Sequence, residues 1–166
     1  LVGLVNACLR RFERENISKL EIEDEQAKWN HPCWMIEIIK KDWPHNWQKI
    51  LIANNNRAPM WLRVNSSKLT VDQYIDRLKS VNIDSNKKEG FDNAVRLIKP
   101  QPVSKLPGFH SGEVSVQDAA AQVAAHWLLK DGKTRILDAC AAPGGKSSHI
   151  LELGGNDLDL VSIDSN

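Results

Sequence analysis

The chain has 166 residues, of which 42% are hydrophobic and 26% charged, with a net charge of +1. That is the make-up of a globular protein of one ordinary domain or two small ones. Its apolar runs fall short of the roughly 20 residues a membrane span needs, and no basic-then-apolar leader precedes a cleavage site. The expectation is a cytoplasmic protein with no membrane partner. Cys8, Cys33 and Cys140 form no CxxC pair, and the five histidines are scattered, so neither a disulfide framework nor a metal site is expected.

The near-zero net charge conceals a gradient. Residues 31–110 carry 13 Lys/Arg against 7 Asp/Glu, a balance of +6, whereas residues 136–166 carry 1 against 5, a balance of −4. A basic middle segment suits phosphate, and an acidic end suits a cationic ligand.

In chain order, Leu1, Leu4, Val5, Cys8, Leu9 and Phe12 recur at helical spacing, and the stretch reads as the last helix of a truncated helical domain over residues 1–20. The acidic run from Glu21 to Asn30 reads as a connector. From Pro32 a helix is expected, with Trp34, Ile38 and Ile39 inward, broken at Pro44. A second helix should pack through Trp47, Ile50 and Leu51. Alternation at Trp61-Leu62-Arg63-Val64 predicts a strand, and Thr70 with Gln73 predicts a capping-box start to a helix ending near Val81. Asn93–Lys99 is a second strand candidate. Residues 21–110 are thus expected to form a small α+β module. Its tryptophans are expected mostly in the core, and Arg57, Arg63, Lys68 and Arg96 are its candidate RNA-phosphate contacts.

From residue 111 to 166 the pattern changes. A short strand at Val114–Val116 runs into an Ala-rich helix. Then come a strand at Thr134–Asp138, the turn Ala139–Ser148, a helix from Lys146 to Leu153, and a strand at Leu158–Ile163 ending on Asp164. Strand, Gly-rich turn, helix, strand, acid is the opening βαβ of a doubly wound parallel sheet. Gly144 and Gly145 remove side chains that would hold a ligand off the backbone, and the helix start offers N–H groups to an anion. Asp164, about 20 residues beyond the turn, stands where an acid commonly accepts ribose hydroxyls. A helix-start turn with no ligand remains an alternative. So does a P-loop: Cys140 to Ser147 matches GxxxxGK[ST] except that Cys replaces the first Gly, and Lys146 would then serve a phosphate.

The phrase ILDACAAPGGKSSHILEL, with VSVQDAAAQ before it and LVSIDSN after it, resembles the RNA cytosine-C5 methyltransferases of the Sun/Fmu (RsmB) type. NACLRRF resembles the end of that family's NusB-like domain, and residues 31–65 its linking module. The resemblance implies a partial Rossmann-like domain that binds S-adenosyl-L-methionine, with 16S ribosomal RNA as partner. It implies that Cys140, Ala141, Ala142, Pro143, Gly144, Gly145 and Lys146 wrap the cofactor and Asp164 holds its ribose, with Gln117 and Asp118 near the cofactor mouth. In such enzymes a thiolate adds at cytosine C6 and pushes electron density onto C5, which takes the methyl. The family's nucleophilic cysteine, and a second one that assists the later elimination, lie in Pro-Cys and Thr-Cys motifs further along the catalytic domain. The one Pro-Cys here, Pro32-Cys33, lies in the linking module, so this chain alone is expected to transfer no methyl group. Readings from other classes are a noncatalytic RNA-binding module and a P-loop nucleotide hydrolase.

Overall fold

The computed structural model describes residues 2–15, 22–132 and 134–165, so part of the helical stretch expected over 1–20 lies outside the described residues. The chain divides into two compact units, Leu1–Ala58 and Pro59–Asn166.

The first unit is helical: α1 (Val2–Arg14), α2 (Glu25–Trp29), α3 (Cys33–Asp42) and α4 (Trp47–Asn55). The apolar stripe of α1 is exposed at Leu4, Val5, Leu9 and Phe12. The expected connector holds one helical turn, α2, because Asp24 caps it by accepting from the Ala27 N–H at 2.8 Å. In α3 the inward face, Ile36 with half-buried Ile39, is only partly the expected one. Ile36 is buried, while Trp34 is 64% exposed and Ile38 is also exposed. Trp43 is exposed too, so the expected tryptophan core reduces here to an edge-on pair, Trp29 and Trp47, with ring centroids 5.0 Å apart. His31, on the turn between α2 and α3, ties it to α4 through Asn54 at 2.7 Å.

The second unit holds two sheets. The first has the order β2-β3-β1-β4, built from β1 (Met60–Val64), β2 (Ser85–Lys87), β3 (Ala94–Leu97) and β4 (Val114–Val116), all antiparallel. Sequence alternation finds β1 and β3 but not β2, a three-residue polar edge strand. Helix α5 (Val71–Ser80) begins at the expected capping box of Thr70 and Gln73. It buries Tyr74 and Leu78 against Leu62, Val64, Val95, Leu97 and Val114 on one sheet face. β4, which follows residue 110, pairs with β1 and completes this sheet.

The other sheet pairs β5 (Arg135–Asp138) with β6 (Asp159–Ser162) in parallel, Asp138 beside Ser162. Between them runs α7 (Gly145–Gly154), and before them α6 (Ala119–Leu129). Ala125 of α6, Ile136 of β5 and Ile150 of α7 form a small separate core. The side of this sheet carrying Leu137 and Val161 is exposed. No helix among the described residues is long and apolar enough to cross a membrane.

Candidate functional site

The turn from Ala139 to Gly144 leaves the carboxyl end of β5 and feeds α7. Gly144 sits just before the helix at φ +94°, a left-handed conformation that costs a side-chain-bearing residue energy and glycine none. Asp138 braces the turn from inside, accepting from Ser147 Oγ at 2.6 Å and from the Cys140 N–H at 3.3 Å. The Ala141 N–H donates to the carbonyl of Ile163 at 3.1 Å. Asp164, one residue further along, accepts from the Ala142 N–H at 2.8 Å. The turn and the strand-terminal acid therefore meet at the carboxyl ends of two adjacent parallel strands.

The space before the turn is open. A Cβ built on Gly144 would meet nothing within 4 Å, and one on Gly145 would lie 3.8 Å from Gln117 Nε2, an ordinary contact. Neither packing nor backbone angle demands glycine at 145, whereas a ligand lying against the backbone would. Cys140, Ala142, Pro143 and Lys146 are exposed; Ala141, Gly144 and Gly145 are half-buried. Cys140 and Lys146 also border a cleft of about 330 Å³ floored by Leu128 and Ile150. Among the described residues no three His, Cys, Asp or Glu side chains gather in a way that would hold a metal ion.

Behind the turn lies a polar contact the sequence reading missed. Arg63, one of the four expected RNA contacts, is fully buried. Its place on β1, with Trp61 and opposite the Leu62 face, turns it under α7. Nη1 donates to Gln117 Oε1 at 2.7 Å and to the Gly145 carbonyl at 2.5 Å. Nη2 donates to Glu152 Oε1 at 2.8 Å and Ser148 Oγ at 3.2 Å, and Nε to Glu152 Oε2 at 3.1 Å. A guanidinium sequestered in this way has no access to phosphate. Arg57, in the first unit, and Lys68 and Arg96, in the second, are exposed, and Lys68 also donates to the Ser111 carbonyl. Gln117 reaches the turn from this sheet side, its Nε2 donating to the Gly145 carbonyl at 3.2 Å, while Asp118 caps α6. Ser148 and Glu152, four apart and so on one face of α7, were the available signal of a polar partner for that face.

His149 completes the buried layer. Its Nε2 lies 3.5 Å from Asn93 Nδ2 and its ring meets His126 edge-on at 5.3 Å. Burial, then the charge of Arg63, then His126, pull its pKa from 6.5 down to about 4, so it is neutral at physiological pH.

A Gly-rich turn between parallel strands, closed by an acid on the second, is the opening half of a Rossmann-like domain, here seated on an antiparallel sheet. Residues 31–104 match the RsmF/B-like methyltransferase ferredoxin-like domain, and residues 125–166 match the 16S rRNA methyltransferase RsmB/F family. The chain is 48% identical over 155 residues to ribosomal RNA small subunit methyltransferase B of Vibrio vulnificus, covering 92% of this chain and 36% of that protein. It is 45% identical over 166 residues to the probable ribosomal RNA small subunit methyltransferase B of Coxiella burnetii, covering 99% and 39%. Among solved structures it resembles PH0851 with a TM-score of 0.77 at 25% identity, covering 92% of this chain and 36% of that one. A methyltransferase homolog protein from Pyrococcus horikoshii gives a TM-score of 0.70 at 23% identity, covering 85% and 47%. Over both matched segments the chain is similar to the RsmB/F methyltransferases. It spans less than two-fifths of the length of these two curated relatives.

Proposed function

We propose that this chain is the linking module and cofactor turn of a cytoplasmic 16S ribosomal RNA methyltransferase that acts on cytosine C5 with S-adenosyl-L-methionine as methyl donor. The observation that carries the reading is the Ala142–Asp164 hydrogen bond, which joins the glycine turn to the acid at the strand ends. In this reading the backbone from Cys140 to Lys146 lies against the cofactor, and the open space before Gly144 and Gly145 admits it. N–H groups at the start of α7 face its carboxylate, because the first amides of a helix have no intrahelical partner. Asp164 takes the ribose hydroxyls. Bound S-adenosylmethionine supplies the methyl group. Cys140 belongs to the cofactor turn and is not the nucleophile. Arg57, Lys68 and Arg96 contribute phosphate contacts.

Calorimetry on the protein carrying this chain tests the reading. S-adenosylmethionine and its demethylated product S-adenosylhomocysteine should both bind, and ATP with magnesium should not. Magnesium-dependent ATP binding in place of S-adenosylmethionine would overturn it in favour of a nucleotide hydrolase. A second assay uses labelled cofactor and unmodified small-subunit RNA, with label expected on cytosine C5.

A further inference from the structure

We propose that Arg63 is a positioning residue for the cofactor turn, through which the antiparallel sheet sets the direction of the first amides of α7. The inference rests on the reading of that turn as the cofactor site.

Three features carry it. The Gly145 carbonyl receives two donors from the sheet side, Arg63 Nη1 at 2.5 Å and Gln117 Nε2 at 3.2 Å. Carbonyl and N–H of one trans peptide point in opposite directions. Pinning the Gly145 carbonyl toward the sheet therefore aims the Lys146 N–H away from it, out of the helix start. Ser148 is held as well: its Oγ accepts from Arg63 Nη2 at 3.2 Å and donates to the Gly144 carbonyl at 2.8 Å. A single guanidinium thereby touches Gly145 directly and Gly144 through one hydroxyl.

The charge is arranged for geometry rather than attraction. A lone cation beside a helix N-terminus is unfavourable, because the dipole there is positive. Glu152 on the same helix neutralises it with two hydrogen bonds, at 2.8 and 3.1 Å, leaving other guanidinium donors for Gly145, Ser148 and Gln117. Lysine has no planar fork and would serve only part of this set.

The experiment uses the protein carrying this chain and two readouts: S-adenosylhomocysteine affinity by calorimetry and backbone amide exchange at residues 144–148 without ligand. Arg63→Met should weaken affinity at least tenfold and speed exchange at the turn, with Arg63→Lys intermediate. Leu78→Ala, a destabilised control in the α5 core far from the turn, should do neither at temperatures where it is folded. Equal effects of Arg63→Met and Leu78→Ala, or none from Arg63→Met, would overturn the proposal. Should Arg63→Met fail to fold, Gln117→Met removes one of the two carbonyl donors and keeps the ion pair. It should still speed exchange at the turn and weaken binding about threefold, and unchanged values would count against the proposal. If the unaltered protein binds no S-adenosylhomocysteine, the cofactor reading fails, and the exchange readout alone then decides whether Arg63 orders the turn.

Discussion

Arg63 and Glu152 stand 89 positions apart and share two hydrogen bonds, with the arginine side chain wholly withdrawn from solvent and that of Glu152 15% exposed. The pair fastens a strand of the antiparallel sheet to the helix of the βαβ unit. Removing one partner strands the other's charge in a water-poor interface, which costs about 3–5 kcal/mol. Glu152→Gln and Arg63→Met should each destabilise the second unit by amounts of that order. The double variant should be more stable than the sum of the two predicts. Urea unfolding of all three, arranged as a double-mutant cycle, measures the coupling.

The two glycines of the turn should separate backbone strain from ligand approach. Gly144→Ala places a side chain at φ +94° and should cost about 1–2 kcal/mol of stability. Gly145→Ala meets no clash and no strain, so stability should hold. In the proposed reading the cofactor lies against this backbone, so affinity for S-adenosylmethionine should fall. Thermal melts beside calorimetry distinguish the two outcomes.

Asp164→Ala removes the acceptor of the Ala142 N–H and, in the proposed reading, the partner of the ribose hydroxyls. Affinity for S-adenosylmethionine should drop by about 1–3 kcal/mol. Asp164→Asn keeps an acceptor for Ala142 and should lose less. Calorimetry giving wild-type affinity for the alanine variant would exclude Asp164 from the site.

His149 supplies a pH dependence whose sign follows from its depressed pKa. The unfolded imidazole titrates near 6.5 and the folded one near 4, so between these values the unfolded chain holds more protons. The contribution is complete above about pH 6.5 and is lost as pH falls toward 4, to a limit of about 3 kcal/mol. His149→Gln should flatten that part of the curve. Urea midpoints at pH 7, 5.5 and 4.5 for both proteins provide the check, and parallel curves would exclude His149 as the source.

Affinity for a small-subunit RNA hairpin should fall with salt, because phosphates neutralised by exposed cations release counterions. Reversing Arg57 or Arg96 should weaken binding and lower the salt slope by about one per lost contact. Arg63→Met should leave that slope unchanged, since its guanidinium does not reach solvent. Filter binding from low to physiological ionic strength measures both.

Local chemistry was enough to establish most of the elements in the sequence. Alternation at residues 61–64 marks a strand, Thr70 with Gln73 starts a helix, and Gly144-Gly145 between an apolar strand and a helix marks the turn. Each depends on neighbours a few positions apart, as does the placing of Asp164 at the end of its strand. Tertiary structure alone decided what covers each face. Period-two alternation says that Trp61 and Arg63 share a side of β1, but not that α7, some 80 residues later, lies over that side and makes an expected surface cation into a buried brace. The same limit hid the true inward face of α3, where Ile36 is buried and Trp34 is not. It also hid β2, three polar residues whose strand character comes from pairing with β3. Periodicity records which residues lie together on a surface, and burial depends on which distant segment closes over it.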